Sequence, residues 1–96
     1  NNYLGMVRQW QELFFHERYS ETHLKNPDFI KVADAYNIKG RKVTKREDLD
    51  DAISDMLNHK GAYLLEVVVE TKGMVYPMVP SGGCVTNILL GNGHTL

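Results

Sequence analysis

The 96-residue sequence has one cysteine, no long apolar segment and almost no net charge. The single Cys84 excludes an internal disulfide framework and any metal site built from several cysteines, and it is typical of proteins in a reducing compartment. The longest apolar run, residues 64–69, is interrupted by Glu66 and is far shorter than the roughly 20 residues that span a bilayer. We therefore expect a cytoplasmic protein without a transmembrane segment.

The charges are balanced, with 11 basic and 12 acidic side chains and a formal net charge of −1. Positive charge is concentrated only between Lys39 and Arg46, where Gly40 and Val43 interrupt it and acidic residues follow at once. Such a segment is typical of a solvated strand edge and helix start. Because nucleic acids and anionic membranes attract a clustered excess of Lys and Arg, we expect neither as a partner.

The length limits the chain to one small domain with a modest core. Asn1 stands where an initiator methionine would be, which suggests a processed or partial chain. Apolar residues then recur at steps of three and four and predict an amphipathic helix from about Gly5 to Arg18. Its apolar face consists of Met6, Val7, Trp10, Leu13 and Phe14.

A second helix is predicted after the polar connection Ser20–Lys25. The Asn26-Pro27-Asp28 segment is typical of a helix start, with an Asn cap, proline at the first helical position and an acid near the positive end of the helix dipole. We expect this helix to end near Asn37. Its apolar face consists of Phe29, Val32, Ala33 and Tyr36.

A strand–helix–strand unit follows. Residues 41–43 predict a short strand, and Thr44 and Glu47 match a capping box, in which each side chain satisfies a free backbone amide. The helix continues to Gly61. The nearly continuous β-branched run Ala62–Glu70 then predicts a strand covered on both faces, as in a parallel sheet. Two strands with three helices indicate one half of a larger α/β domain.

The remainder of the chain is rich in glycine and proline. Pro80–Gly83 predicts a mobile or tightly turned loop, and the tail Cys84–Leu96 is expected to be ordered only where it docks. Cys84 has no nearby histidine or acid in the sequence to activate it, so we assign it no role. The histidines share no metal-ligand spacing and are interpreted as surface or helix-end residues: His16, His23, His59 and His94.

Five motifs carry a family resemblance. The first begins at Asn1 and contains Leu4-Gly5-Met6-Val7, Gln9-Trp10 and Phe14. The others are Asn26-Pro27-Asp28-Phe29, Val43-Thr44, Leu65-Glu66-Val67 and the segment Tyr76–Gly83. Together they resemble the C-terminal part of acetolactate synthase (acetohydroxyacid synthase), the thiamine-diphosphate enzyme of branched-chain amino-acid synthesis. The resemblance implies a three-layer α/β domain with a mainly parallel sheet. Residues 1–83 would form the C-terminal half of its thiamine-diphosphate-binding domain, and residues 84–96 a C-terminal tail.

The resemblance implies a metal–diphosphate site at the start of the chain. The family's motif runs from Gly-Asp-Gly to Asn-Asn about 30 residues later, and the spacing to Leu4 makes Asn1, rather than Asn2, the second Asn of that pair. The side-chain carbonyl of Asn1 and the main-chain carbonyl of Tyr3 would bind Mg²⁺, which prefers six oxygen ligands. Without the resemblance, Asn1 would be interpreted as an ordinary turn residue.

The resemblance also gives roles to the first helix and the late loop. Met6 would lie beside the rings of thiamine diphosphate, and Val7 and Trp10 would line the channel by which 2-ketoacids arrive. Trp10 is tied in the family to the choice of the second ketoacid and to herbicides that block the channel. Ser81 and Gly82 would belong to the channel segment that folds over the active site. By residue type alone, such apolar helix positions are more often core than cofactor wall.

The family decarboxylates pyruvate and joins the hydroxyethyl unit to pyruvate or 2-ketobutyrate. Its cofactors are thiamine diphosphate, Mg²⁺ and FAD, the last bound by a domain outside this sequence. The activating Glu also lies outside this chain, on a neighbouring subunit, so the resemblance implies a homodimer or tetramer of the full catalytic subunit, with a regulatory small subunit as a further partner. We expect the 96 residues alone to have no carboligase activity.

Two alternatives remain open. Another thiamine-diphosphate carboligase or decarboxylase, such as glyoxylate carboligase, would share the domain, and Trp10 is the best discriminator in favour of the synthase. A non-catalytic interaction module would keep the fold without the reaction.

Overall fold

The computed structural model describes residues 1–91, which form two compact units. One unit consists of Asn1–Asn2 and His23–Thr71, and the other of Tyr3–Thr22 and the described residues from Lys72 onward. The elements are α1 (Gly5–Phe14), α2 (Phe29–Ala35), β1 (Lys39–Val43), a 3-10 turn (Arg46–Asp48), α3 (Leu49–Asn58), β2 (Tyr63–Val67) and a second 3-10 turn (Val85–Asn87). Over these residues no helix has the length and hydropathy of a membrane span.

The first unit is built around a parallel pair of strands. β1 pairs with β2 in a register that runs from Lys39 opposite Tyr63 to Val43 opposite Val67. Parallel strands need a crossover connection, which α3 provides. The parallel strand–helix–strand arrangement predicted from the sequence is confirmed.

The helices of this unit cover opposite faces of the sheet. A Cβ atom on Gly40 would lie 3.2 Å from Ile30 Cδ1, so Gly40 faces α2. The next residue, Arg41, instead binds Asp51 and Asp55 of α3, with Nη1 2.9 and 2.6 Å from their Oδ2 atoms. Because successive strand residues point to opposite faces, the order is helix, sheet, helix. The unit therefore has the three layers of the predicted α/β fold.

The buried apolar residues of this unit are few and small. Ala33 of α2, Val43 of β1 and Ala52 of α3 are buried. β2 ends at Val67 rather than near Glu70 as predicted, and Val67–Val69 are exposed. The predicted burial of both faces therefore does not extend to the end of this run.

Two predicted helix caps are wrong in detail. Asp28, not Asn26, caps α2, because its Oδ1 accepts from the amides of Ile30 and Lys31, each at 3.1 Å. The Thr44–Glu47 capping box does not form, since the 3-10 turn at Arg46–Asp48 leads into α3 without a side-chain cap. Before α2 the sequence offers two competent caps, Asn26 and Asp28, and the backbone path decides for Asp28.

The second unit contains α1 and the late loop. α1 ends at Phe14, four residues before the predicted end, and His16 and Glu17 then adopt positive φ angles of 53° and 57° that stop the helix. Further along, Met78 and Leu89 form an antiparallel bridge through two backbone hydrogen bonds of 2.9 and 2.8 Å. The described part of the tail therefore docks on the Met78 segment. His94 and the end of the predicted tail lie outside the described residues.

Candidate functional site

An apolar groove of about 670 Å³ lies in the second unit. One wall belongs to α1, where Met6, Trp10 and Phe14 recur every fourth residue and share a helix face. The opposite wall is the segment Met78–Ser81, and Phe15 completes the lining. Large apolar side chains form both walls of the groove, and such a lining suits a small organic molecule or part of a cofactor.

The exposure pattern of α1 is the reverse of a core helix. Its buried residues are polar, with Arg8 6% and Gln9 1% exposed, whereas Met6 and Trp10 are 45% and 49% exposed. A helix that buries an arginine and a glutamine and presents its apolar face to a groove is not packed for stability alone. The interpretation of this face as a binding wall remains a prediction.

The groove brings together some of the residues named from the sequence. Met6, Trp10 and Ser81 line it together. Val7, which is 42% exposed, and Gly82, which has a φ of +75°, do not line it in the described part of the chain. Phe14 and Met78 line it as well, although neither was assigned a binding role from the sequence.

Asn1 lines a second, polar pocket of about 550 Å³ in the first unit. This pocket lies at the carboxyl ends of β1 and β2, where Thr44 and Val67–Val69 form part of its wall. Ligands of open parallel sheets bind at this end of the strands. The remaining lining is polar or comes from the start of α2: Asn2, Asn26, Pro27, Asp28, Phe29, Lys42, Glu66 and Thr71.

The donors of this polar pocket fit a hard cation with an anionic group. Side-chain amide oxygens of asparagines and a carboxylate are oxygen ligands, which Mg²⁺ prefers. The buried Oε2 of Glu66 has no hydrogen-bond partner within residues 1–91, whereas its Oε1 accepts from Lys42 Nζ at 3.0 Å. No group of three His, Cys, Asp or Glu residues that could hold a metal occurs in the same range. Among the described residues, a metal here would therefore be bound by amide and backbone oxygens together with at most the two carboxylates that line the pocket, Asp28 and Glu66.

Tyr3 is half-buried in the second unit, where it belongs to an aromatic–cation cluster. The Arg8 guanidinium carbon lies 5.5 Å from the centre of the Tyr3 ring and 4.7 Å from that of Tyr19. Arg8 also binds Glu12 at 3.0 Å. The Tyr19 hydroxyl donates to Glu12 Oε2 at 2.8 Å, and this hydrogen bond raises the pKa of Tyr19 above its ordinary value. The cluster fixes the ring, and so the backbone position, of Tyr3.

Gln9 does not line the groove but contacts Met78, which does, and the sequence-based assignment of roles missed it as well. Its amide Nε2 donates to the Val75 carbonyl at 3.0 Å, and its Oε1 accepts from the Val75 amide at 2.7 Å. The available signal was a glutamine directly before Trp10 within an apolar helix pattern. Its partner is 66 residues away in the chain, so spacing alone could not identify the contact.

The fold agrees with a comparison to protein families. A model of the family described as "Thiamine pyrophosphate enzyme, C-terminal TPP binding domain" matches residues 1–67. The match covers more than half of the chain, and the chain belongs to this family.

Individual relatives are acetolactate synthases. The chain is 50% identical over 90 residues to the mitochondrial acetolactate synthase of Schizosaccharomyces pombe, with 94% of this chain and 14% of the relative aligned. It is 48% identical over 90 residues to the acetolactate synthase isozyme 2 large subunit of Escherichia coli (93% and 16%). It is 38% identical over 105 aligned positions to the chloroplastic acetolactate synthase 1 of Zea mays (100% and 16%). The chain thus spans about one seventh of the length of these relatives.

Proposed function

We propose that this chain is the C-terminal part of the catalytic subunit of an acetolactate synthase, which acts in branched-chain amino-acid biosynthesis. The observation that carries the proposal is the groove in which Met6, Trp10 and Ser81 meet, in a chain half identical to a known synthase. The substrates would be pyruvate and a second 2-ketoacid, either pyruvate or 2-ketobutyrate.

The metal-binding role is assigned to Asn1 and Tyr3. The Asn1 side-chain carbonyl and the Tyr3 main-chain carbonyl would hold Mg²⁺. The oxygen atoms of the polar pocket support the role of Asn1, which lines it, whereas Tyr3 is not part of its lining. Thiamine diphosphate, when bound, supplies the electron sink for decarboxylation of the 2-ketoacid. Met6 would support its rings, since an unbranched thioether adapts to an irregular surface.

The groove would admit the 2-ketoacid. Val7, Trp10, Ser81 and Gly82 would form the channel, and its apolar walls would exclude water from the reacting atoms. A rigid indole wall discriminates between side chains that differ by one methyl group by about 1–3 kcal/mol. Trp10 is therefore the residue of this chain that would favour 2-ketobutyrate over pyruvate as the second substrate.

The complete site would need groups from outside this chain. The activating Glu would come from a neighbouring subunit, so the working form would be a homodimer or tetramer, with FAD bound elsewhere in the subunit and a regulatory small subunit as an additional partner. The single cysteine supports a reducing compartment, and we place the protein in the cytoplasm.

The proposal is tested with the full-length subunit that contains this chain. Purified with thiamine diphosphate, Mg²⁺ and FAD, it should form acetolactate from pyruvate, whereas the 96 residues alone should form none. Trp10→Ala should lower the preference for 2-ketobutyrate by about 10-fold or more. Tyr36→Ala, which removes an exposed aromatic of the other unit, serves as the matched control.

Three outcomes would count against the proposal. Formation of tartronate semialdehyde from glyoxylate in place of acetolactate would favour a glyoxylate carboligase. Cofactor binding without turnover of either substrate would favour a non-catalytic module. Acetolactate formation by the 96 residues alone would show that the site needs no further subunit.

A further inference from the structure

Gln9 makes an unusually complete set of contacts for a helix glutamine. It is 1% exposed, and both atoms of its side-chain amide bond the backbone of the same residue, Val75, at 3.0 and 2.7 Å. Nε2 also lies 3.3 Å from Met78 Sδ. The amide therefore pairs with the backbone of Val75 as one peptide group pairs with another. The Gln9 side chain of this pair is buried, whereas Val75 is 59% exposed.

The segment that Gln9 holds has only one other anchor among the described backbone contacts. Met78 is tied to Leu89 by the two backbone bonds of their antiparallel bridge. Between these residues the chain turns at Pro80, whose carbonyl accepts from the Gly83 amide at 2.9 Å, and Gly82 adopts a φ of +75°. The backbone bonds between Met78 and Leu89 thus close the loop that lies between them, and Gln9 connects this loop to α1.

This connection matters for the groove because it joins the two segments that carry the groove walls, although neither Gln9 nor Val75 lines the groove itself. Gln9 directly precedes Trp10 on α1, and Met78, which Gln9 touches, begins the opposite wall. The length of the glutamine side chain therefore sets the distance between Trp10 and the Met78–Ser81 wall. A shift of that wall by even a fraction of an ångström changes whether an extra methyl group fits.

We propose that Gln9 is a positioning residue that sets the width of the Trp10 groove, and that it thereby determines which 2-ketoacid side chains the groove accepts. This inference rests on the proposed function for the identity of the ligand. The structural part, that Gln9 holds the Met78–Ser81 wall, stands on the contacts alone.

Two variants of the full-length subunit separate the contributions of Gln9. Gln9→Met keeps the length and shape of the side chain and removes both hydrogen bonds, which leaves the Val75 amide and carbonyl without these partners. Gln9→Glu keeps the acceptor and replaces the donor, so that a carboxylate oxygen faces the Val75 carbonyl. Gln11→Met is the matched control, because Gln11 lies on the same helix but bonds Ser20 and Thr22.

The first readout is amide hydrogen exchange, which does not depend on catalysis. In Gln9→Met the amides of residues 75–81, apart from Pro77 and Pro80, which have no amide hydrogen, should exchange about 10-fold faster or more. The reason is that the Val75 amide has lost its acceptor and the wall has lost its link to α1. Exchange in β1 and β2 should remain at the parent rate, which shows that the variant is folded. Gln11→Met should leave residues 75–81 unchanged.

The second readout is competition between 2-ketobutyrate and pyruvate. Both Gln9 variants should change the product ratio by about 3-fold or more, with KM for the second ketoacid altered more than kcat. Unchanged exchange at residues 75–81 would overturn the positioning role. Faster exchange with an unchanged product ratio would overturn the role in selection. If the unaltered subunit formed no acetolactate, the proposed function would fail, and the selection role with it, while the exchange result would still decide whether Gln9 holds the wall.

Discussion

The guanidinium carbon of Arg8 lies 4.7 Å from the centre of the Tyr19 ring, and Nη2 lies 3.3 Å from the Tyr19 hydroxyl oxygen. The same arginine is 5.5 Å from the centre of the Tyr3 ring and pairs with Glu12 of its own helix at 3.0 Å. A buried cation is stable only when it is paired, and here a carboxylate and two aromatic rings pair it. Arg8 thus joins α1 to residues before and after the helix.

We expect Arg8→Met to destabilise the chain by about 1–3 kcal/mol, because it removes the ion pair and both cation–π contacts while keeping much of the apolar stem. Urea unfolding followed by circular dichroism measures the change. Lys72→Gln, which removes one positive charge from an exposed position of the same unit, should change the free energy of unfolding by less than about 0.5 kcal/mol. Equal effects of the two variants would show that the cluster does not stabilise the fold.

The hydrogen bond from Tyr19 to Glu12 predicts that the Tyr19 hydroxyl ionises at a higher pH than an ordinary tyrosine. The pKa of Tyr19 is raised, first because its hydroxyl donates to Glu12. A raised pKa in the folded state means that the contact stabilises the fold below about pH 10, the ordinary tyrosine value, and that this stabilisation is lost as the pH rises through the folded-state pKa. NMR of ring-labelled tyrosine should show Tyr19 titrating above its ordinary value. Glu12→Ala should bring the pKa of Tyr19 back toward the ordinary value. An unchanged Tyr19 titration in this variant would exclude the hydrogen bond to Glu12 as the cause.

The parallel unit could be predicted from sequence because its signals are local. The β-branched run before Val69 and the helical spacing from Leu49 each depend on a few neighbouring residues. The cap of α2 could not be predicted from sequence, because Asn26 and Asp28 are both competent caps and only the backbone path selects Asp28. The end of α1 could not be predicted either, because the apolar spacing continues past Phe14 although the backbone leaves the helix there.

The candidate site was predictable on its α1 side and, through Ser81, at one residue of the opposite wall. Met6 and Trp10 stand within a recognisable motif, and the groove contains both. The link between Gln9 and Val75 spans 66 residues and depends on tertiary folding, so no spacing rule could reveal it. The roles of Asn1 and Tyr3 as metal ligands, of Val7 and Gly82 in the channel, and the division of the chain after Gly83 remain predictions.

The contact between α2 and β1 predicts a size limit at Gly40. An added Cβ would lie 3.2 Å from Ile30 Cδ1 and 3.4 Å from the Leu64 carbonyl oxygen. Gly40→Val adds two further methyl groups and should destabilise the first unit by about 1–3 kcal/mol through overpacking. Hydrogen exchange of the β1 and β2 amides measures this local effect. Lys39→Val, which places the same side chain at an exposed position of the strand, should cost much less.

We expect Cys84 to be more reactive than its sequence surroundings suggest. It is exposed, and a hydrogen bond from the Thr86 side chain, followed by backbone hydrogen bonds from Thr86 and Val85, lowers the pKa of its thiol. Since the thiolate is the nucleophile, alkylation by iodoacetamide at pH 7 should be faster than for a small-molecule thiol of ordinary pKa. Thr86→Val should slow the reaction about 2-fold or more. Mass spectrometry of the single cysteine gives the rate, and equal rates in both proteins would contradict this explanation.

The two adjacent asparagines at the start of the chain allow a direct test of the metal assignment. If Asn1 supplies a ligand, Asn1→Ala in the full-length subunit should raise the Mg²⁺ concentration for half-maximal activity by about 10-fold or more and weaken retention of thiamine diphosphate on gel filtration. Asn2 has a φ of 58°, so Asn2→Gly preserves its backbone and is the matched control. It removes the hydrogen bond from Asn26, of 2.9 Å, and should leave the Mg²⁺ requirement within about 2-fold. A larger effect of the Asn2 substitution than of the Asn1 substitution would assign the metal ligand to Asn2 and overturn the argument from spacing.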